Sequence, residues 1–172
     1  FQIKLDALTV YNRRVNWIID GHNVIPHVRG LSLADLDDEQ ALIDLLIQFC
    51  RVKRDHVLVF FGRAAPGQSG EHSFGAVKAV FVPSPRTADA AIASHLRKQG
   101  SRVRNDTLVS SDRMVQAAAR PIHMHVIPSD MFGRQLVEAL SQAPITEADK
   151  PLSQEEVRRW EQLFNQKDNS DG

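Results

Sequence analysis

Apolar residues in this chain fall into short runs that alternate with stripes of helical spacing. Residues 15–20 (VNWIID) form a short apolar run ending on an acid, and Gly21 follows, which predicts a buried strand. Residues 21–38, with Gly, Pro and clustered acids, predict a connection. Leu42, Ile43, Leu45, Leu46 and Phe49 then recur at helical spacing over 40–49. Residues 57–61 (VLVFF) are apolar throughout, as expected of a strand covered on both faces. The Gly, Pro and Ser content of 62–76 predicts a loop. A third strand is expected over 77–82, closed by Pro83 and Pro85. Thr87 is placed as the N-cap of a helix whose apolar face is Ala88, Ala91, Ile92 and Leu96. Further strands are predicted at 107–109 and 125–127. Ser110 and Ser111 are expected to open a helix reaching about Ala119, and Ser129 one reaching about Leu140.

This alternation predicts an α/β domain within residues 1–140, with its core at 15–140. Its sheet is expected to have about five strands, mainly parallel, with helices on both faces. Residues 141–151 (SQAPITEADKP) predict a polar linker. Ser153 and Glu156 form a capping box, opening a C-terminal helix over 153–164 with Val157, Trp160, Leu163 and Phe164 on one side. That helix is expected to pack on the domain, with Trp160 and Phe164 as the alternative docking point for a protein partner. Residues 167–172 are expected to be disordered.

Composition adds limits. A chain of 172 residues, 42% hydrophobic and 24% charged, suits one soluble globular domain with a short appended element. No apolar run is long enough to span a bilayer, so no membrane role is expected. Cys50 is the single cysteine, which excludes an internal disulfide framework and a Cys-rich zinc site. No secretory signal is visible, and a cytoplasmic location is the default expectation. The first residue is Phe, which leaves room for an upstream segment and for an organellar location.

The formal net charge is zero, but the charges are not evenly mixed. Residues 1–50 hold 4 basic and 7 acidic residues, 51–120 hold 12 and 5, and 121–172 hold 5 and 9. A basic middle between acidic ends fits either a surface for a polyanion or chance clustering on solvated faces.

Three acids carry the chemistry. Asp20 ends the first strand, Asp89 lies in the first turn after the third, and Asp112 follows the fourth. Ligands of open parallel sheets bind at the carboxyl ends of strands, so all three acids are expected on one edge. Converging carboxylates repel one another unless a cation neutralises them, and oxygen ligands favour Mg²⁺ or Mn²⁺ over zinc. Each acid alone also has a structural explanation: Asp89 and Asp112 suit a helix dipole, and Asp20 suits a turn. Asn23 is placed to orient Asp20 or a water. Thr87, Ser110 and Ser111 bring hydroxyls and helix amides to the same edge. Arg86 and Arg113 flank two of the acids, and His22 neighbours Asp20. No P-loop, G-x-G-x-x-G or G-x-S-x-G is present, which removes the main support for ATPase, dinucleotide and serine-hydrolase functions.

D-G-H-N at 20–23, T-A-D at 87–89 and S-S-D at 110–112 resemble, in order and spacing, the motifs of NYN domains of the PIN-like ribonuclease fold. The YacP-like branch is the most similar, and K-P-L-S-Q-E-E-V-R-R-W-E-Q-L-F at 150–164 resembles a tail of some members. The resemblance implies a three-layer PIN-like domain with an acidic pocket for Mg or Mn, and RNA as the substrate class. It implies Asp20, Asp89 and Asp112 as catalytic metal ligands, with Asn23, Thr87 and Ser111 in support. This sequence departs from the pattern at Gly62, Ala90 and Ala93, where relatives often carry acids. Asp44, inside the helix predicted over 40–49, is the candidate to compensate, but an exposed helix face is the favoured explanation of it.

Two function classes stay open at this point. One is a divalent-metal-dependent endoribonuclease of RNA processing or decay. In it Arg51, Lys53, Arg54, Arg86, Arg97, Lys98 and Arg113, with Arg102 and Arg104, track the RNA backbone. The other is an inactive or weakened NYN module that binds RNA or a ribonucleoprotein such as the ribosome. A small phosphohydrolase acting on nucleotides is the weakest option.

Overall fold

The structure is a computed structural model, and it describes residues 16–143 and residue 158. Six strands form one sheet: β1 (Asn16–Asp20), β2 (His56–Ala64), β3 (Gly70–Phe74), β4 (Val77–Pro83), β5 (Thr107–Val109) and β6 (His125–Ile127). Their order is β3-β4-β2-β1-β5-β6. All neighbours pair in parallel except β3, which runs antiparallel to β4. The helices are α1 (Gly21–Val24), α2 (Asp38–Lys53), α3 (Ala88–Gln99), α4 (Arg113–Ala119) and α5 (Ser129–Ser141). Short 3₁₀ turns lie at Ile25–His27, Gly100–Val103 and Arg120–Ile122. None of these helices is long and apolar enough to cross a membrane.

The expected alternation is present, with two corrections. The segment assigned to a 62–76 loop contains β3, so the sheet has six strands rather than five. GEHSF lacks an apolar face and is mostly exposed, so β3 is held by its ladder to β4 rather than by a buried side. The helix expected from Ser110 starts at Arg113, because Asp112 is its N-cap and accepts from the Met114 and Val115 amides. Thr87 caps α3 as expected, accepting from the Ala90 amide at 3.2 Å. The linker, the helix at 153–164 with Trp160 and Phe164, and the tail at 167–172 lie outside the described residues, apart from residue 158.

Two cores cover the two faces of the sheet. On one face α2 and α5 pack Leu42, Leu46, Phe49, Phe132 and Leu136 against Ile19, Val59 and Val109. Trp17 meets Phe49 and Phe132 there at centroid distances of 5.7 and 5.2 Å, and its indole N–H donates to Asp55 at 3.0 Å. On the other face α3 and α4 pack Ile92, Leu96 and Val115 against Ile18, Phe60 and Leu108. This explains why β1, β2 and β5 read as continuous apolar runs.

The chain after β1 is seated by close packing at Gly133 in α5. A Cβ there would lie 2.5 Å from the His27 carbonyl oxygen, which is backbone and cannot swing aside. Gly133→Ala is expected to cost about 3 kcal/mol, read as a lowered urea midpoint with an unchanged slope.

Candidate active site

An open pocket of about 630 Å³ lies at the carboxyl edge of the sheet. Asp20, Asp89 and Asp112 all line it, as their strand-end positions predicted. Each arrives by a different route. Asp20 is the last residue of β1, only 4% exposed, and paired in register with Phe60 of β2. Asp89 stands in the first turn of α3, which Thr87 starts. Asp112 leaves the end of β5 and caps α4.

Asp20 and Asp89 are in direct electrostatic and hydrogen-bonding contact. Burial pushes the Asp20 carboxyl up to about 7, and the adjacent Asp89, by its charge and by a hydrogen bond, pushes in the same direction. The Ser110 hydroxyl and the Asn23 backbone oppose this by bonding to the ionised form. Ser110, itself fully buried, donates to Asp20 Oδ2 at 3.2 Å and accepts from the Asp112 amide at 3.1 Å. Asp112 uses Oδ1 to cap α4 at 2.8 and 3.0 Å, and among the described residues its Oδ2 takes no hydrogen bond. Among the described residues, no group of three or more His, Cys, Asp or Glu side chains is gathered closely enough to hold a metal alone. The arrangement is a carboxylate pair, buried at Asp20 and half-buried at Asp89, with a third acid lining the same pocket.

Asn23 and Ser111 brace this floor. The Asn23 side-chain oxygen accepts from the Ser111 amide at 2.9 Å and from the Ser129 hydroxyl at 2.6 Å. The Ser111 hydroxyl accepts from the Ser129 amide at 2.9 Å. The ends of β1, β5 and β6 are thereby tied together, which fixes where Asp20 and Asp112 point.

Several lining residues were not singled out from sequence. Asp38 and Glu39, at the start of α2, face the same pocket. Glu39 meets His22 Nε2 at 2.8 Å, and His22 rests edge-on against Phe61 at 5.5 Å. The acidic run D-L-D-D-E at 35–39 was the available signal, but only the folded path of 21–37 carries it back to Asp20. Asp44 lies on an exposed helix face, as favoured from the sequence, and accepts from Gln40 at 2.9 Å. Helix α2 supplies acids from its first turn, not its middle. Gly62 lines the pocket, and a Cβ there would stand 3.3 Å from the Ala88 amide nitrogen, so the start of α3 crowds the place of the expected acid. Ala90 and Ala93 do not line it.

The basic residues separate. Arg86 lines the pocket, and so does Arg63, which was not among the expected contacts. Arg113 is exposed one residue beyond Asp112. The others belong to the opposite edge. Arg51, Lys53 and Arg54 end α2 just before β2 begins, and Arg97 and Lys98 end α3. At 1.5 Å per residue, these ends lie roughly 20 Å along α2 and about 13 Å along α3 from the pocket. The basic middle of the sequence is therefore not one continuous face.

Comparisons with known proteins bear on the family and the fold. The model of the YacP-like NYN domain family matches residues 17–167. The crystal structure of Rae1 (YacP) from Bacillus subtilis superimposes with a TM-score of 0.61 at 16% identity, covering 91% of this chain and 85% of that one. A mutant of the same protein gives a TM-score of 0.57 at 16% identity, covering 92% and 86%. No curated protein matches significantly by sequence. With its family model matched from β1 to beyond α5 and a PIN-like α/β fold shared with YacP structures, this chain belongs to the YacP-like NYN domain family.

Proposed function

We propose that the protein is a divalent-cation-dependent endoribonuclease acting on RNA, either free or within a ribonucleoprotein such as the ribosome. The observation that carries this reading is the Asp20–Asp89 pair on the floor of an open pocket. Two carboxylates in contact, one of them buried, cannot both stay ionised without a proton or a cation between them. The fit to Mg²⁺ or Mn²⁺ is good. The donors are hard oxygens, and these cations are often held by one or two carboxylates with substrate phosphate completing the shell. When bound, such a cation stabilises charge on the phosphoryl group and acidifies a water.

The protein's own residues supply position and polarity. Asp20 and Asp89 hold the cation. Ser110 fixes the Asp20 rotamer through Oδ2, and Asn23 with Ser111 holds the strand ends. Asp112 offers its Oδ2 to the cation or to a bound water. Asp38 and Glu39 add negative potential at the rim, strengthening cation capture where relatives have further acids.

A second reading is an RNA-binding module without cleavage, favoured by Gly62 where the family pattern has an acid. One experiment separates the two. A labelled oligoribonucleotide is incubated with Mn²⁺ and either the wild type or Asp89→Ala. Cleavage by the wild type alone is expected. Salt-sensitive binding without cleavage supports the second reading, and cleavage that survives the substitution contradicts the assigned metal site.

A further inference from the structure

The mouth of the pocket carries cations as well as acids. Arg63 stands near the carboxyl end of β2, and Arg86 in the turn from β4 into α3. Both are exposed, and both line the pocket. They sit on adjacent strand ends: Ala64 pairs with Pro83, and the Arg86 amide donates to the Pro83 carbonyl at 3.1 Å. Asp20 ends the next strand, β1, and Asp112 follows β5 beyond it. The strand ends thus carry Arg63 and Arg86 over β2 and β4 and Asp20 and Asp112 over β1 and β5, while Asp89, three residues past Arg86 at the start of α3, stands beside Asp20.

These opposite charges do not neutralise one another. Among the described residues, neither guanidinium is in an ion pair. Neither arginine is among the groups that shift Asp20. Arg63 also has φ +59°, the left-handed region that a residue with a Cβ rarely adopts. It falls where the β2–β4 register shifts between Phe61 and Ala64. Such irregularities re-aim a side chain near a site. The core gains nothing from this conformation, because Arg63 is exposed.

We propose that Arg63, with Arg86, is a phosphate clamp. It seats a backbone phosphate of the RNA on the β2/β4 side of the phosphate that lies over Asp20 and Asp89. This rests on the RNA reading above. Both arginines are positioning residues that hold the strand off-centre across the acid pair.

The test is fluorescence anisotropy of a short labelled oligouridylate from about 50 to 200 mM salt, in EDTA and in Ca²⁺. The double variant Arg63→Ala with Arg86→Ala is expected to weaken binding several-fold. It should lower the slope of log affinity against log salt by about 0.7 for each phosphate no longer neutralised. Arg63→Lys should keep the slope. Arg63→Gly should lower it as Ala does while raising the unfolding midpoint, because glycine accepts the left-handed φ. The control is Arg102→Ala with Arg104→Ala, the same charge change at the opposite edge, and its slope should stay unchanged. If the wild type binds and the double variant has an unchanged slope, or the control lowers it equally, the clamp is overturned and the RNA reading stands. If the wild type binds in neither buffer, the RNA reading is overturned and the clamp with it.

Discussion

Replacing Asp20 by Asn is expected to lower RNA cleavage by at least on the order of 10²-fold while making the cation-free fold more stable above neutral pH. The two effects have one cause. The Asp20 carboxyl is buried at the end of β1, and burial together with Asp89 pushes it up to about 7 from 3.8. The folded state therefore holds a proton there more tightly than the unfolded chain does. The stability from this proton is fully present below the unfolded value and is lost as pH rises through about 7. The loss amounts to a few kcal/mol, on the order of the shift itself. Asn keeps an oxygen to accept from the Ser110 hydroxyl and carries no charge, so the penalty disappears along with the cation ligand. Urea denaturation in EDTA at pH 5 and pH 8 checks this. The wild-type midpoint should fall between the two, and the Asp20→Asn midpoint should not. A wild-type midpoint that stays level would show that Asp20 is ionised in the fold without strain.

The second large effect is stabilisation by the cation itself. A ligand that binds only the folded state adds about 2.7 kcal/mol at a hundred times its Kd, on the order of 10 °C in unfolding temperature for a domain of this size. Mn²⁺ is expected to produce such a rise above pH 7. The rise should shrink below about pH 6, where a proton competes for Asp20. Asp20→Asn and Asp89→Asn should each abolish most of it. Thermal unfolding with and without Mn²⁺ across that pH range reads all of these together. Equal stabilisation of both variants would place the cation elsewhere.

The parallel core was legible in the sequence because its strands are buried on both faces. β1, β2 and β5 must then be apolar throughout, and that signal survives without any tertiary knowledge. β3 was not legible for the complementary reason. GEHSF buries almost nothing, and its stability comes from backbone pairing with β4. The acids at strand ends were legible because a parallel sheet brings all carboxyl ends to one edge. What was not legible depends on returns of the chain. Asp38 and Glu39 reach the pocket only because residues 21–37 fold back from β1. Arg63 reaches its mouth only because β2 loses register near its end. Asp44 was legible as an exposed position, and on α2 it faces solvent beside Gln40. The basic middle block splits between the two edges of the sheet. Helices that return antiparallel to the strands carry the basic residues at their C-terminal ends, Arg51 and Lys53 of α2 and Arg97 and Lys98 of α3, away from the acids they neighbour in sequence.

The central claim is that one divalent cation sits between Asp20 and Asp89. Anomalous diffraction from crystals grown with Mn²⁺ tests it most directly. A peak with oxygens of both carboxylates at about 2 Å is expected, with no such peak in Asp20→Asn crystals. Mn²⁺ bound elsewhere while these two carboxylates share a proton would contradict it.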